Sequence, residues 1–393
     1  MAGALTAPLV PPGRVVGLDV ARCVALLGMI VTHVLPAADE NGVSVAQQVA
    51  GGRASALFAV LAGVSLAIMS GGTTPLRGAD RGAVSAGLAV RAVLIALLGL
   101  LLGSLPVTIL VILCYYGVLF LLGLPFLGLR ARGLAVLAAV WLAVVPVLSH
   151  LIRPHLPAAP VSNLNVTAPA HPWRLLTELT FTGTYPAVPW LAYLLVGMAI
   201  GRSDLRRPRT AAVLVIAGVA LALVSWEGSR VLLRQPGVMD RLEGTFTGTG
   251  RLAETLQHGM FGSTPTGTWW WLAVEAPHTA TPFDLAHTIG CAMAVIGVAL
   301  LLGRAFPTLA ALLFGAGAMT LSLYSMHVVL RTPEFLPEDD VATVATHVLI
   351  VLAVGAAYRL ARRSGPLERL VTTSANGARQ AVRRRLSASA PAS

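Results

Sequence analysis

The chain has 393 residues, of which 56% are hydrophobic and only 11% charged, and its mean hydropathy is +0.77. That composition excludes a soluble globular domain and defines a membrane protein. The net charge of +11 and the pI near 10.8 come from arginine alone, since lysine is absent. These arginines are scattered through short loops rather than gathered on one face, so nucleic acid is not among the expected partners.

A disordered N-terminal segment is expected over 1–13, followed by one membrane domain over 14–363 and a basic tail over 364–393. Apolar segments of about the ~20 residues a bilayer crossing needs recur along the chain. They lie at about 15–36, 54–71, 86–103, 106–129, 133–151, 186–202, 210–232, 286–303, 307–330 and 341–361. The predicted fold is therefore an all-α polytopic bundle of about ten transmembrane helices. The loops that alternate from the N-terminal side hold Arg14, Arg77, Arg81, Arg130, Arg132, Arg202, Arg206, Arg207, Arg209, Arg304 and every arginine from Arg359 onward. By the positive-inside rule this places both termini in the cytoplasm of a multi-pass protein of the cell membrane.

The first segment is the most informative. It carries Asp19, Arg22 and His33, too many ionisable groups for a cleaved signal sequence, so it reads as an uncleaved first helix. At ~100° per residue, Arg22 lies about 60° and His33 about 40° to the same side of Asp19. Ionisable groups in hydrocarbon are costly and mark functional sites by default. Asp19 and Arg22 also have the spacing of a structural ion pair. In the second segment, Ala59 and Gly63 predict close helix packing. Arg91, in the third, either snorkels to lipid phosphates or lines an entry for a phosphate-bearing substrate. Gly103-Ser104-Leu105-Pro106 separates the third segment from the fourth.

Two long loops are expected on the outer side, about 152–185 and 233–285, without clear secondary-structure patterning and so functional or lid-like. The run Trp269-Trp270-Trp271 in the second is either an interfacial anchor or an aromatic floor for a sugar. In the ninth segment Thr320, Tyr324 and His327 follow i, i+4, i+7 and share a helical face, with His327 at a depth similar to His33. The tail places Leu367, Leu370, Val371, Val382 and Leu386 against arginines, the pattern of a basic helix on an anionic leaflet or of a solvated tail, before a disordered Ala/Ser/Pro end.

The histidines all fall at outer helix ends or in outer loops, opposite most of the arginines. Histidine suits proton transfer and arginine suits phosphate. A membrane enzyme that carries an acyl group from a phosphate-rich cytoplasmic donor to an outer acceptor needs that polarity. Cys23, Cys114 and Cys291 have no CxxC or Cys/His spacing, so neither a disulfide framework nor a metal site is expected. Hydrolase and nucleotide-driven pump motifs are absent.

RVVGLDVARCVALLGMIVTH resembles the first-helix signature of transmembrane acyltransferases, with the Arg-x10-His spacing of the acyltransferase-three family. GGRASALFAVLAGVSLAIMSGG, TGTYPAVPWLAYLLVGMAIGR, GAMTLSLYSMHVVL and RRSGPLERLV resemble bacterial proteins grouped with the heparan-α-glucosaminide N-acetyltransferase catalytic domain and with a membrane domain family of unknown function. The resemblance covers most of residues 14–371. It implies a membrane-bound acyltransferase that binds acetyl-CoA or another short acyl-CoA from the cytoplasm and transfers the acyl group to a sugar, glycan or lipid-linked hydroxyl or amine on the far side. His33 and Arg22 would be the histidine and arginine of that motif. In the heparan-type enzymes a histidine in the segment after the first helix acts on the acceptor; here that segment has none.

The site expected on these grounds uses His33 as base, His327 and Tyr324 as helpers, and Asp19 and Arg22 to fix the helix face or stabilise an oxyanion. Arg91 and Arg22 would hold the donor phosphates, and membrane lipids surround the bundle. A homodimer is left open. The alternative is a transporter or exporter of a small molecule or lipid without acyl transfer. The lack of internal repeats favours the enzyme; the missing acceptor histidine favours the transporter.

Overall fold

The computed structural model of the chain describes residues 9–39, 42–248 and 250–388. Most of the expected N-terminal segment and the end of the Ala/Ser/Pro tail lie outside them.

The chain runs α1 (Val16–Val34), a two-stranded ribbon β1 (Ala38–Asp39) and β2 (Gly42–Val43), α2 (Val45–Ala50), α3 (Arg53–Met69), α4 (Gly78–Leu102), α5 (Leu113–Gly123) and α6 (Ala131–Ile152). It continues with α7 (Pro172–Thr177), α8 (Ala187–Gly201), α9 (Pro208–Leu233), α10 (Val238–Glu243), α11 (Leu252–His258) and α12 (Pro282–Ala305). The last elements are α13 (Pro307–Leu313), α14 (Thr320–Leu330), α15 (Val341–Leu360) and α16 (Pro366–Ala388). The protein is an all-α polytopic membrane protein. Among the described residues, seven helices are long and apolar enough to cross a membrane, and Pro172–Thr182 with Ala187–Gly201, bent by 52°, forms either a broken eighth span or a re-entrant loop.

Three of the ten expected spans differ from single membrane-length helices, and the one at 186–202 is the 15-residue α8 with its bent partner. The segment at 106–129 becomes helical only at Leu113, because the turns around Gly103 and Pro106 delay it. The segment at 307–330 is broken into α13, a 3₁₀ turn Gly315–Ala318, and α14. The break follows from close packing: a Cβ on Gly317 would fall on the Asp19 backbone of α1, and Gly315 faces Gly355 of α15. Irregular backbone at membrane depth is tolerated where it is buried in protein or lines a cavity. This break does both.

α1 is the hub of the bundle, packed against α3, α12, α13, α14 and α15. Small residues let the helices approach. Gly63 of α3 abuts the Leu194 backbone of α8, as the Ala59/Gly63 spacing predicts, and Gly218 of α9 abuts Gly290 of α12. The arginine-bearing turns meet at one end: Arg206 donates to the Gly13 carbonyl at 2.8 Å and Arg304 to the Arg206 carbonyl at 2.7 Å. The two long loops meet at the other end, where Arg153 donates to the Thr264 carbonyl and Gly262 packs on Gly183. Both loops contain short helices that hold them against the bundle.

α16 is helical over the segment with the amphipathic pattern, but it packs lengthwise on α4 rather than standing as a solvated tail. Val371 is buried, Ala375 abuts Gly87, and Arg383 pairs with Asp80 at 2.6 Å. Its Glu368 reaches the break in the ninth span. The carboxylate accepts hydrogen bonds from Leu321 N (2.7 Å), Ser322 N (3.1 Å) and Ser322 Oγ (2.5 Å). A helix beginning inside the bundle leaves its first N–H groups without intrahelical partners; here the tail supplies the acceptor.

Candidate active site: two cavities that meet at Tyr324

The stripe on α1 divides between two chambers. Arg22 lines a cavity of about 290 Å³ together with Ser65, Arg91, Tyr116, Tyr324, Glu368 and an apolar wall that includes Phe58, Leu61, Met69 and Phe120. His33, three turns further along, lines a second cavity of about 380 Å³ with Gln47, Tyr185, His258, His278, Tyr324 and Asp339. Tyr324 lines both. Its hydroxyl oxygen accepts a hydrogen bond from Ile112 N at 3.3 Å, which leaves the hydroxyl proton available to a third group. Beside it, Tyr116 donates to the Ser55 carbonyl at 3.1 Å. Tyr324 is the side chain the two linings share, and the chain at Ile112 and Leu113 passes between them, Ile112 facing the second cavity and Leu113 the first.

In the first cavity Arg22 donates to Ser65 Oγ at 2.8 Å and pairs with Asp19 at 3.4 Å. Arg91 donates to Met69 Sδ at 3.8 Å, and among the described residues no carboxylate lies within 4.0 Å of it. Glu368 lines the same cavity and is its nearest acidic influence, while the guanidinium itself makes no direct ion pair and keeps donors for an anion. Asp19 lines neither large cavity. It is 3% exposed and takes Arg14 at 2.6 Å, Arg22 at 3.4 Å and Arg359 at 3.8 Å, so it neutralises a cluster that joins α1 to α15.

In the second cavity the His33 ring stacks on His327, with centroids 5.4 Å apart and planes 5° from parallel, and His33 Nδ1 lies 3.2 Å from His327 Nε2. At that distance one ring donates a hydrogen bond to the other, so the two imidazoles orient each other. His327 is fully buried and meets His347 edge-on at 5.1 Å; His347 Nδ1 in turn lies 3.0 Å from the Thr343 carbonyl. The i, i+4, i+7 face of α14 is thus realised: Thr320 and Tyr324 line the arginine cavity, Tyr324 reaches the histidine cavity, and His327 engages His33.

Several lining residues were not legible beforehand. The segment after α1 lacks a histidine, yet it is where distant histidines arrive: Gln47 Nε2 donates to the His258 carbonyl at 2.6 Å, and Gly52 packs on Pro277. Burial pushes the His278 imidazole down to about 4, so it is neutral at pH 7. Arg331, just after α14, is buried; it donates to the carbonyls of Leu336 (3.0 Å) and Glu338 (2.8 Å) and to Asp339 (2.5 Å), which lines the cavity. None of the three consecutive tryptophans lines either cavity: Trp269 stacks on His150 at 4.8 Å, and buried Trp271 donates to Thr245 Oγ1 at 2.9 Å. These contacts hold the loop against the bundle.

Beside the cavity, Arg53 Nε donates to His287 Nε2 at 3.1 Å, and Glu275 lies 3.8 Å from the same nitrogen. Burial, reinforced by Asp284, pushes the Glu275 carboxyl up to about 7. Among the described residues no group of histidine, cysteine, aspartate and glutamate side chains is arranged to hold a metal, and the three cysteines are free.

The core of this multi-pass helical protein thus holds an arginine-walled chamber and a histidine-walled chamber that share Tyr324. The chain belongs to the family described as heparan-alpha-glucosaminide N-acetyltransferase, catalytic, whose model matches residues 14–235, more than half its length. Comparison with curated proteins gives no match. Membership indicates a membrane acetyltransferase. The matched segment supplies Arg22, His33, Arg91 and Tyr116, whereas His258, His278, Tyr324, His327 and Glu368 lie beyond it.

Proposed function

We propose that this protein transfers an acetyl or other short acyl group from acyl-CoA, entering at the arginine end, to a hydroxyl or amine of an acceptor in the histidine cavity. The reading places the arginine end and both termini in the cytoplasm and the two long loops outside the cell membrane. The contact of the two cavities at Tyr324 carries it. A donor and an acceptor held in the two chambers would both border the Tyr324 side chain, which lines each of them. The arginine cavity, about 290 Å³, sits at the small end of the roughly 300–1,000 Å³ typical of ligand pockets. Its apolar walls suit the acyl-pantetheine arm, with Arg91 and Arg22 toward the phosphate-bearing end.

As the acceptor nitrogen or oxygen attacks the thioester carbonyl carbon, its proton passes to His33, whose partner His327 spreads the charge over the pair. The C–S bond breaks, its electron pair goes to sulfur, and the proton returns from the histidine pair so that CoA departs as the thiol. Tyr324 donates its free hydroxyl proton to the carbonyl oxygen as charge develops there. Asp19 acts through Arg22, by holding that side chain on the cavity wall.

The test is transfer of radiolabelled acetyl from acetyl-CoA to glucosamine by the protein in nanodiscs. His33→Ala lowers kcat by about 10²–10⁴, the usual worth of a positioned base, while the unfolding temperature stays near that of wild type. A wild-type protein that moves a solute across the bilayer and never consumes the thioester is a transporter, and the proposal fails.

A further inference from the structure

His278 occupies an odd position for a structural residue. Its φ of 60° is left-handed, as is that of Ala280 (φ 54°) two residues on, and side chains with a Cβ rarely adopt that conformation. The surroundings enforce it from three directions. Asp284, at the start of α12, accepts from Thr279 N at 3.1 Å and Ala280 N at 2.9 Å. The chain at 260–262 crosses alongside, with Met260 N donating to the Pro277 carbonyl and Gly262 N to the His278 carbonyl, both at 2.8 Å. Gly52, at the start of α3, closes on Pro277 from beneath. Strained backbone persists only where packing over-determines it, and it gathers at functional sites.

All of this holds one imidazole on the wall of the His33 cavity. The ring lies parallel to Trp190 (centroids 6.3 Å, planes 4° apart) and edge-on to Tyr185 at 5.6 Å. Such an aromatic nook is filled at lower desolvation cost by phenylalanine. A histidine kept for packing would also satisfy both nitrogens, whereas here Nδ1 is enclosed with no hydrogen-bond partner among the described residues. With Nδ1 shut in, Nε2 is the nitrogen that the contents of the cavity can reach. Across the same cavity the His33 ring already has one nitrogen committed to His327. The two histidines are therefore not equivalent.

We propose that His278 is an acceptor-binding residue: its Nε2 makes a hydrogen bond with a hydroxyl or amine of the acceptor and turns the attacking group toward His33. The inference rests on the transferase reading above and adds to it a specificity residue supplied by the loop between α11 and α12, outside the family-matched segment. A polar, neutral acceptor with several hydrogen-bonding groups fits a wall that also carries Gln47, His258 and Asp339.

The experiment measures acetyl transfer to glucosamine at varied acetyl-CoA and varied glucosamine. His278→Gly suits the left-handed backbone and so removes the ring without adding strain; His278→Phe keeps the stacking and removes the nitrogens. Both variants are expected to raise the glucosamine KM about five- to tenfold, the worth of one hydrogen bond, with the acetyl-CoA KM unchanged. Free imidazole restores the Gly variant and not the Phe variant. Glucosamine KM values equal to wild type in both variants, or donor and acceptor KM rising together without imidazole rescue, overturn the assignment. A wild-type protein that releases no CoA in the presence of glucosamine removes the transferase reading and this inference with it.

Discussion

Glu368 offers the sharpest test of how this site is assembled, because it lies far outside the family-matched segment and on a helix that composition alone marks as a tail. Its carboxylate accepts three hydrogen bonds from the first turn of α14, the helix that carries Tyr324 and His327. Glu368→Ala leaves two backbone N–H groups and one hydroxyl without that acceptor. A hydrogen bond to a charged group contributes about 1.5–3 kcal/mol. Glu368 is only half-buried, so the lower figure applies and water replaces part of the set. The net loss is about 3 kcal/mol. At about 2–4 °C per kcal/mol for chains of 150–250 residues, and less for longer ones, that predicts a fall in Tm of about 5 °C. Glu368→Gln keeps an acceptor oxygen and loses the charge, so about half the fall is expected. Differential scanning fluorimetry in detergent reads the Tm, and acetyl transfer reads the placement of Tyr324 and His327, with kcat falling several-fold in the Ala variant. An Ala variant that unfolds at the wild-type temperature and turns over at the wild-type rate refutes the idea that the tail holds α14.

Three further predictions rest on separate parts of the molecule. Arg91→Gln raises the acetyl-CoA KM about tenfold and leaves the acceptor KM alone, as steady-state kinetics with each substrate varied would show; equal effects on both place Arg91 outside the donor path. Asp19→Asn strips the counter-ion from Arg14, Arg22 and Arg359, and breaking a buried ion cluster this way costs about 3–5 kcal/mol, seen as a lower Tm that Arg359→Met partly restores. The third concerns pH. The folded Glu275 carboxyl, held at about 7, binds its proton more tightly than the unfolded one, so its contribution to stability is full below about pH 4.3 and is lost as pH rises through 7. His278, held at about 4, works in the opposite sense, with stability rising from about pH 4 to about 6.5. Glu275→Gln isolates the first effect: its Tm advantage over wild type grows between pH 5 and pH 8, and an advantage that stays flat across that range contradicts the assignment.

What was legible from the residues alone is what local geometry dictates. Helical periodicity depends only on φ and ψ along one segment, so Arg22 and His33 on one stripe of α1 and Thr320, Tyr324 and His327 on one face of α14 could be placed before any contact was known. Apolar length marked the spans for the same reason, and it misjudged two of them where glycine and proline interrupt the helix in response to a neighbour, as Gly317 does against Asp19. The similar depth of His33 and His327 was legible; their 3.2 Å contact was decided by how α1 and α14 pack. The rest had no local signal. His258 and His278 reach the segment after α1 through irregular backbone held by Asp284, Gly52 and Gln47, residues distant in sequence from one another. Asp339 faces the cavity because Arg331 turns its loop inward, and the tail becomes part of the core because one carboxylate finds the open end of a broken helix. Such contacts are selected by the satisfaction of buried polar groups across the whole fold, a global condition that no window of sequence contains.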